Sequence, residues 1–178
     1  MIFARPALPG RVKTRLVPLL GKKGAARLYA RMRARALRTA KSAGFTPKML
    51  LSTSQGPGNL GERMHRAMAR MLEKHESAIL IGSDCPAMKA ADLQAAARAL
   101  RSGVDAVFSP AEDGGYALIG LRRNSRRLFS GVAWGGPRVM AQTRRRLKTL
   151  RWRWKELRTL WDVDRPDDVR RLRRERLL

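Results

Sequence analysis

The run Ile79-Leu80-Ile81-Gly82-Ser83-Asp84-Cys85-Pro86 constrains the chain more than any other stretch. Branched apolar residues long enough for a buried strand run into Gly-Ser-Asp, and a proline then forbids further ladder pairing. Asp84 is thereby delivered at a strand's carboxyl end. In an open α/β sheet, ligands bind in the crevice beyond those ends, so a carboxylate there is placed for chemistry. An Asp in that position also suits a helix cap or a turn, and the choice depends on what the other segments bring.

The chain has 178 residues, of which 44% are hydrophobic, enough for one domain spanning 1–178 with a real core. Thirty-nine Lys and Arg against fourteen Asp and Glu give a net charge of +25, which attracts phosphates, nucleic acid or anionic membrane whatever the fold. The single cysteine, Cys85, excludes an internal disulfide, and no Cys/His cluster has zinc spacing. His65 and His75 lack a third ligand at a suitable spacing, so neither is assigned a metal. There is no apolar run of about eighteen residues that would span a membrane. The start, Met1 to Pro6, is too short and too soon interrupted for a signal peptide. The expected location is the cytoplasm.

Met1 to Ala4 reads as a first strand, and Arg5-Pro6-Ala7-Leu8-Pro9-Gly10 as a loop, because two prolines and a glycine exclude regular structure. Arg11, Lys13 and Arg15 follow at alternate positions. Such a segment can hold a polyphosphate by charge, guanidinium forks and loop amides, or can be solvated surface. It is not a Walker motif, since Gly-Lys-Ser/Thr is lacking. Gly24 to Ala43 predicts a helix, with Leu28, Met32, Ala36 and Ala40 recurring on one face and Gly44 ending it. Phe45 to Ser52 predicts a second strand. The glycine-punctuated loop Gln55 to Gly61 opens into a helix carrying Met64, Met68, Met71 and Leu72, read as core.

Beyond the central strand, Ala90 to Ser102 predicts a helix closed by Gly103, and Val104 to Phe108 a strand. Glu112-Asp113-Gly114-Gly115 then leads to a strand at Tyr116–Leu121. Asp-Gly is a hairpin signal, and a turn is also where carboxylate and backbone meet a ligand. Gly131 to Pro137 is loop, with Pro137 at the first helical position of a helix through about Leu147. Arg151 to Leu157 alternates charged and apolar residues like a half-buried strand. Asp162 and Asp164 precede a helix begun by Pro166-Asp167-Asp168, where one can face a metal and the other the solvent. Strands and helices alternate, so the expected fold is α/β, a mainly parallel sheet with helices on both faces.

Taken together, the segments Arg5 to Leu16, Gly58 to Met64, Ile81 to Pro86, Pro110 to Tyr116 and Asp162 to Asp168 occur in the order seen in the DUF2064 family. That family resembles glycosyltransferase-A-like proteins of the nucleotide-diphospho-sugar transferase superfamily, often described as selenodomain-associated transferases. The resemblance implies a Rossmann-like three-layer α/β/α sandwich that binds a nucleotide, usually with Mg2+ or Mn2+. It implies metal ligands at Asp84 with Asp164 or Asp162. It also implies a phosphate-binding segment at Pro9, Gly10, Arg11, Lys13 and Arg15, with Lys13 nearest the transferring phosphates. Gln55, Leu60 and Gly61 correspond to the stretch near base and ribose; Asp113, Gly114, Gly115 and Tyr116 correspond to an acceptor-side loop. Asn59 stands where the family usually has Asp.

A cation on the carboxylates and the Lys-Arg loop would neutralise a departing diphosphate, and Asp113 would orient or deprotonate an acceptor hydroxyl. The expected activity is a metal-dependent transfer from a nucleotide-activated donor, a nucleotide-sugar, to a small acceptor. A nucleotidyltransferase consuming a nucleoside triphosphate is the alternative. A different class of reading is a nucleic-acid-binding protein on an inactive fold, using its arginines with Trp152 and Trp154.

Overall fold

The computed structural model describes residues 1–177. Six strands, β1 (Ile2–Ala4), β2 (Met49–Leu51), β3 (Ala78–Ile81), β4 (Ala106–Pro110), β5 (Tyr116–Leu121) and β6 (Trp154–Glu156), form one sheet in the order β2-β1-β3-β5-β4-β6. β1 pairs in parallel with β2 and β3, and β4 with β6, whereas β5 runs antiparallel to both of its neighbours. The Asp113-Gly114 turn accounts for that exception. A connection this tight returns the chain beside itself, while a parallel return needs a crossover.

The helices are α1 (Val17–Ser42), α2 (Leu60–Leu72), α3 (Ala90–Arg101), α4 (Arg126–Phe129), α5 (Val139–Thr149) and α6 (Pro166–Arg174). Strand alternation sorts the core onto the two sheet faces. Ile2, Ile81, Val107 and Leu118 pack with α1, α3 and α6 through Met32, Leu93 and Leu172. Phe3, Leu80, Phe108 and Ile119 pack with α2, α4 and α5 through Met68, Leu128 and Leu147. The result is the three-layer α/β/α sandwich. Gly120 lets α3 approach closely: a Cβ there would meet Val107 Cγ1 at 2.6 Å and Leu100 Cδ1 at 3.0 Å.

Several boundaries differ from the sequence reading. α1 begins at Val17, not Gly24, because Pro18 suits a first turn, and the helix kinks at Gly21 (φ 68°) before continuing. Its buried face is Ala25, Ala26, Tyr29, Met32 and Ala40, with Leu28 and Ala36 only half-buried. β2 is confined to Met49–Leu51 rather than Phe45–Ser52, since it lies at the sheet edge and pairs only with β1. β4 is displaced to Ala106–Pro110 and β6 shortened to Trp154–Glu156. Pro137 precedes α5 by two residues instead of opening it, and α4 was not foreseen.

The end of the chain is led back to the middle of the sheet. Leu157 N–H donates to the Phe108 carbonyl and Leu160 N–H to Pro110, so the segment after β6 runs beside the carboxyl end of β4. Val163 N–H then donates to the carbonyl of Asp84 at 3.1 Å. Asp162 and Asp164, on either side of Val163, are thereby brought to the turn that follows β3.

Candidate active site at the carboxyl end of the sheet

Three segments meet beyond the strands. The first is the loop after β1, anchored by the fully buried side chains of Val12 and Leu16. Between these anchors Lys13 adopts a left-handed conformation, φ 47° and ψ 46°, which a residue with a Cβ rarely adopts and which costs of order 1–2 kcal/mol. The second segment is the Gly82-Ser83-Asp84 turn. The third is Asp162-Val163-Asp164, whose end is pinned by α6: the Asp168 carboxylate accepts from the N–H groups of Asp164 at 2.8 Å and Arg165 at 2.6 Å.

The Lys13 ammonium joins all three. Its Nζ donates to Asp84 Oδ2 at 2.9 Å and to Asp164 Oδ1 at 2.7 Å, and its side chain is only 6% exposed. Burial alone would lower the Lys13 pKa, but the charges of Asp84 and Asp164 and the two hydrogen bonds outweigh it and raise it. Asp164 shows the converse: desolvation pushes its pKa up, and the Lys13 charge and hydrogen bond pull it below the usual carboxylate range. Arg15 adds a longer contact to Asp164 at 3.5 Å. Asp162 lies deeper. Burial, then the neighbouring Asp84 charge, pushes its pKa up to about 7, and its Oδ1 is buried without a hydrogen-bond partner.

Beside this cluster opens a crevice of about 680 Å³. Of the residues singled out from sequence, Lys13, Arg15, Gln55, Leu60, Asp84 and Asp164 line it. Pro9, Gly10 and Arg11 form the preceding turn, with Gly10 at φ 75° and Arg11 N–H donating to the Leu8 carbonyl, and do not line it. Gly61 faces away from it: a Cβ there would meet the Trp134 indole at 2.5 Å. The acceptor-side residues form the β4–β5 turn. Asp113 Oδ1 accepts from Gly115 N–H at 2.9 Å, Gly114 lies against the Pro137 backbone, and Tyr116 packs edge-on to Phe108 and Trp134. This turn is outside the crevice, yet Asp113 is near enough for its charge to act on Asp162.

The sequence reading missed Tyr29 and Ser83, which also line the crevice. Tyr29 OH and Ser83 Oγ are 2.8 Å apart, and Tyr29 OH accepts from Arg5 N–H at 2.8 Å. Tyr29 was signalled only by a hydroxyl on the buried face of α1, and Ser83 only by its place next to Asp84. Arg5 and Arg63 complete the cationic lining.

The profile of the family described as "uncharacterized protein conserved in bacteria (DUF2064)" matches residues 19–136. The chain belongs to the DUF2064 family. A crystal structure of a proposed nucleotide-diphospho-sugar transferase from Desulfovibrio desulfuricans G20 superposes on this DUF2064 protein with a TM-score of 0.82 and 28% sequence identity, covering 92% of this chain and 81% of that one. CMP:2-keto-3-deoxy-manno-octonic acid synthetase, solved with CTP, gives 0.55 at 12% identity, with 98% and 96% covered. Rv0371c of Mycobacterium tuberculosis H37Rv, solved with manganese, gives 0.51 at 20% identity, with 96% and 95% covered. The last two share the fold. No curated protein matches the sequence. The DUF2064 chain thus has the Rossmann-like fold of nucleotide-sugar transferases, and no helix among its described residues is long and apolar enough to cross a membrane.

Among the described residues, no three His, Cys, Asp or Glu side chains are grouped to hold a metal ion. The donor chemistry nonetheless suits a hard divalent cation: Asp84 and Asp164 converge on one positive charge, and the unpartnered Asp162 Oδ1 is buried beside them. In this structure that positive charge is the Lys13 ammonium.

Proposed function

We propose that this DUF2064 protein is a single-domain transferase, working inside the cell with Mg2+ or Mn2+, that uses a nucleotide-diphospho-sugar as donor and a small molecule as acceptor. The observation that carries the reading is the meeting of Lys13 with Asp84 and Asp164 at the mouth of a crevice lined by further cations. Asp84 and Asp164, with Asp162 behind them, would hold the metal, which supplies Lewis-acid neutralisation of phosphate charge when bound.

The other roles fall to the chain's own residues. Lys13 and Arg15 bind the diphosphate and stabilise the charge that develops as it leaves. Gln55 and Leu60, which line the crevice, are assigned to base and ribose in this reading. Asp113, exposed beside Gly114, Gly115 and Tyr116, faces an acceptor and takes its hydroxyl proton.

One observation favours nucleotidyl transfer from a nucleoside triphosphate as a second reading. Arg5, Lys13, Arg15 and Arg63 all line the crevice, and a cation taken up by Asp84 and Asp164 would leave all four free for a triphosphate. Thermal unfolding with Mg2+ and either a panel of sugar nucleotides or the nucleoside triphosphates separates the two. Stabilisation by sugar nucleotides supports the first, and by triphosphates alone the second. If neither class raises the Tm, both fail.

A further inference from the structure

We infer that Lys13 and a divalent cation are alternative occupants of the Asp84–Asp164 pair, so that cation and phosphate enter the crevice by an exchange in which the ammonium passes from carboxylate to phosphate. The inference rests on the transferase reading and adds a coupling between its two ligands.

Each carboxylate already commits an oxygen to Nζ, at 2.9 Å for Asp84 and 2.7 Å for Asp164. A dication held by the same oxygens would face an ammonium at hydrogen-bond range; the carboxylates are 38% and 52% exposed, but the Lys13 side chain between them is only 6% exposed, so little solvent screens the two cations from each other. One must leave for the other to bind. The lysine can leave cheaply on its flexible four-carbon stem, because Val12 and Leu16 hold the backbone on either side and only the side chain has to turn. Turning away costs the ammonium both carboxylate partners, so an anion within its reach favours the move. Arg5, Arg15 and Arg63 line the adjoining wall and make that place attractive to phosphate. Cation binding therefore frees an ammonium for phosphate, and phosphate binding frees carboxylates for the cation. Linkage makes the two effects equal in size.

The test is Mn2+ binding, followed by the electron paramagnetic resonance of the free ion, in the wild type, Lys13→Met and Lys13→Gln, with and without inorganic phosphate. Without phosphate, both variants should bind Mn2+ at least about tenfold tighter than the wild type, because the competing ammonium is gone. Phosphate should tighten Mn2+ binding to the wild type by about fivefold or more and leave the variants nearly unchanged. Variants that bind Mn2+ no more tightly than the wild type overturn the exchange, as does phosphate acting alike on all three. If the variants do not fold, the wild type decides alone, and Mn2+ affinity indifferent to phosphate overturns it. Stabilisation of the wild type by nucleotides alongside flat Mn2+ results would sink the exchange and spare the transferase reading; no response to any nucleotide would sink that reading whatever Lys13 does.

Discussion

Tyr29 OH and Ser83 Oγ share a buried hydrogen bond of 2.8 Å across 54 residues of sequence. The same phenol oxygen accepts from the backbone N–H of Arg5 at 2.8 Å. One side chain of α1 thus ties the exit of β1, where the Lys13 loop begins, to the turn after β3 that presents Asp84.

Replacing Tyr29 by Phe keeps the ring and its packing but leaves Ser83 and the Arg5 N–H without that partner. Loss of a buried hydrogen bond of this kind costs about 1–3 kcal/mol. Denaturant unfolding should show that loss with an unchanged m-value. Nucleotide stabilisation of the folded protein should weaken as well, because Lys13 and Asp84 lose their common brace. A variant that unfolds like the wild type and keeps its nucleotide response contradicts this role.

The features legible in the sequence were those set by local chemistry. A branched run stopped by Gly and Pro marked β3 and placed Asp84; glycines closed α1 and α3; Asp113-Gly114 announced the β4–β5 hairpin. Less legible were elements whose limits depend on neighbours: β2 is short because only β1 pairs with it, and α1 starts early because a kink at Gly21 lets a first turn form before the main helix. The likeness of several segments to one family brought Lys13, Asp84 and Asp164 together, which no periodicity could do for groups 151 residues apart. That Lys13 itself would stand between the carboxylates lay beyond the pattern, because residue spacing carries no record of which partner a flexible side chain chooses. Tyr29 was hidden for the opposite reason: on an apolar stripe it reads as core, and it is core, apart from one oxygen.

Gly120 offers a test of the packing that positions the sheet. A Cβ there would be 2.6 Å from Val107 Cγ1 and 3.0 Å from Leu100 Cδ1, and both neighbours are fully buried. Gly120→Ala should therefore destabilise by about 1–3 kcal/mol through overpacking, even though strand geometry by itself accepts alanine. Pairing it with Leu100→Ala should recover part of the loss beyond additivity. Thermal unfolding of the two single variants and the double variant measures the coupling.

Asp92 gives the pH dependence its sign. It opens α3, accepting from Lys89 N–H at 2.7 Å, and takes two hydrogen bonds at 2.7 Å from Arg158 on the segment that leads to Asp162. Desolvation pushes its pKa up, but the hydrogen bonds from Arg158 and the Lys89 backbone pull harder and hold it below the usual carboxylate value. A carboxylate depressed on folding contributes stability above its unfolded pKa of about 3.9 and loses it as pH falls through the folded value. Asp92→Asn should thus cost about 1–3 kcal/mol near neutrality, and the gap to the wild type should close as pH drops below about 4. Urea unfolding of both proteins at several pH values checks the slope; a gap that widens in acid contradicts the assignment.

Asn59 tests how much α2 owes to its N-terminal cap. In the structure Asn59 is the N-cap of α2: its Oδ1 accepts from Glu62 N–H at 3.1 Å, and the Glu62 carboxylate accepts from Asn59 N–H at 2.9 Å. The amide keeps the reciprocal cap that an Asp would make and gives up only the negative charge facing the helix dipole. Asn59→Ala should cost about 0.5–2 kcal/mol by removing the cap. Asn59→Asp should leave stability unchanged or add about 0.3–1 kcal/mol at low ionic strength, tempered by the like charge of Glu62 three residues on. Raising the salt should erase the Asp gain, since that part is an exposed charge effect, and leave the alanine loss in place, since that part is a hydrogen bond. Should Asn59→Asp instead stabilise strongly and independently of salt, the residue would be acting through something other than the cap.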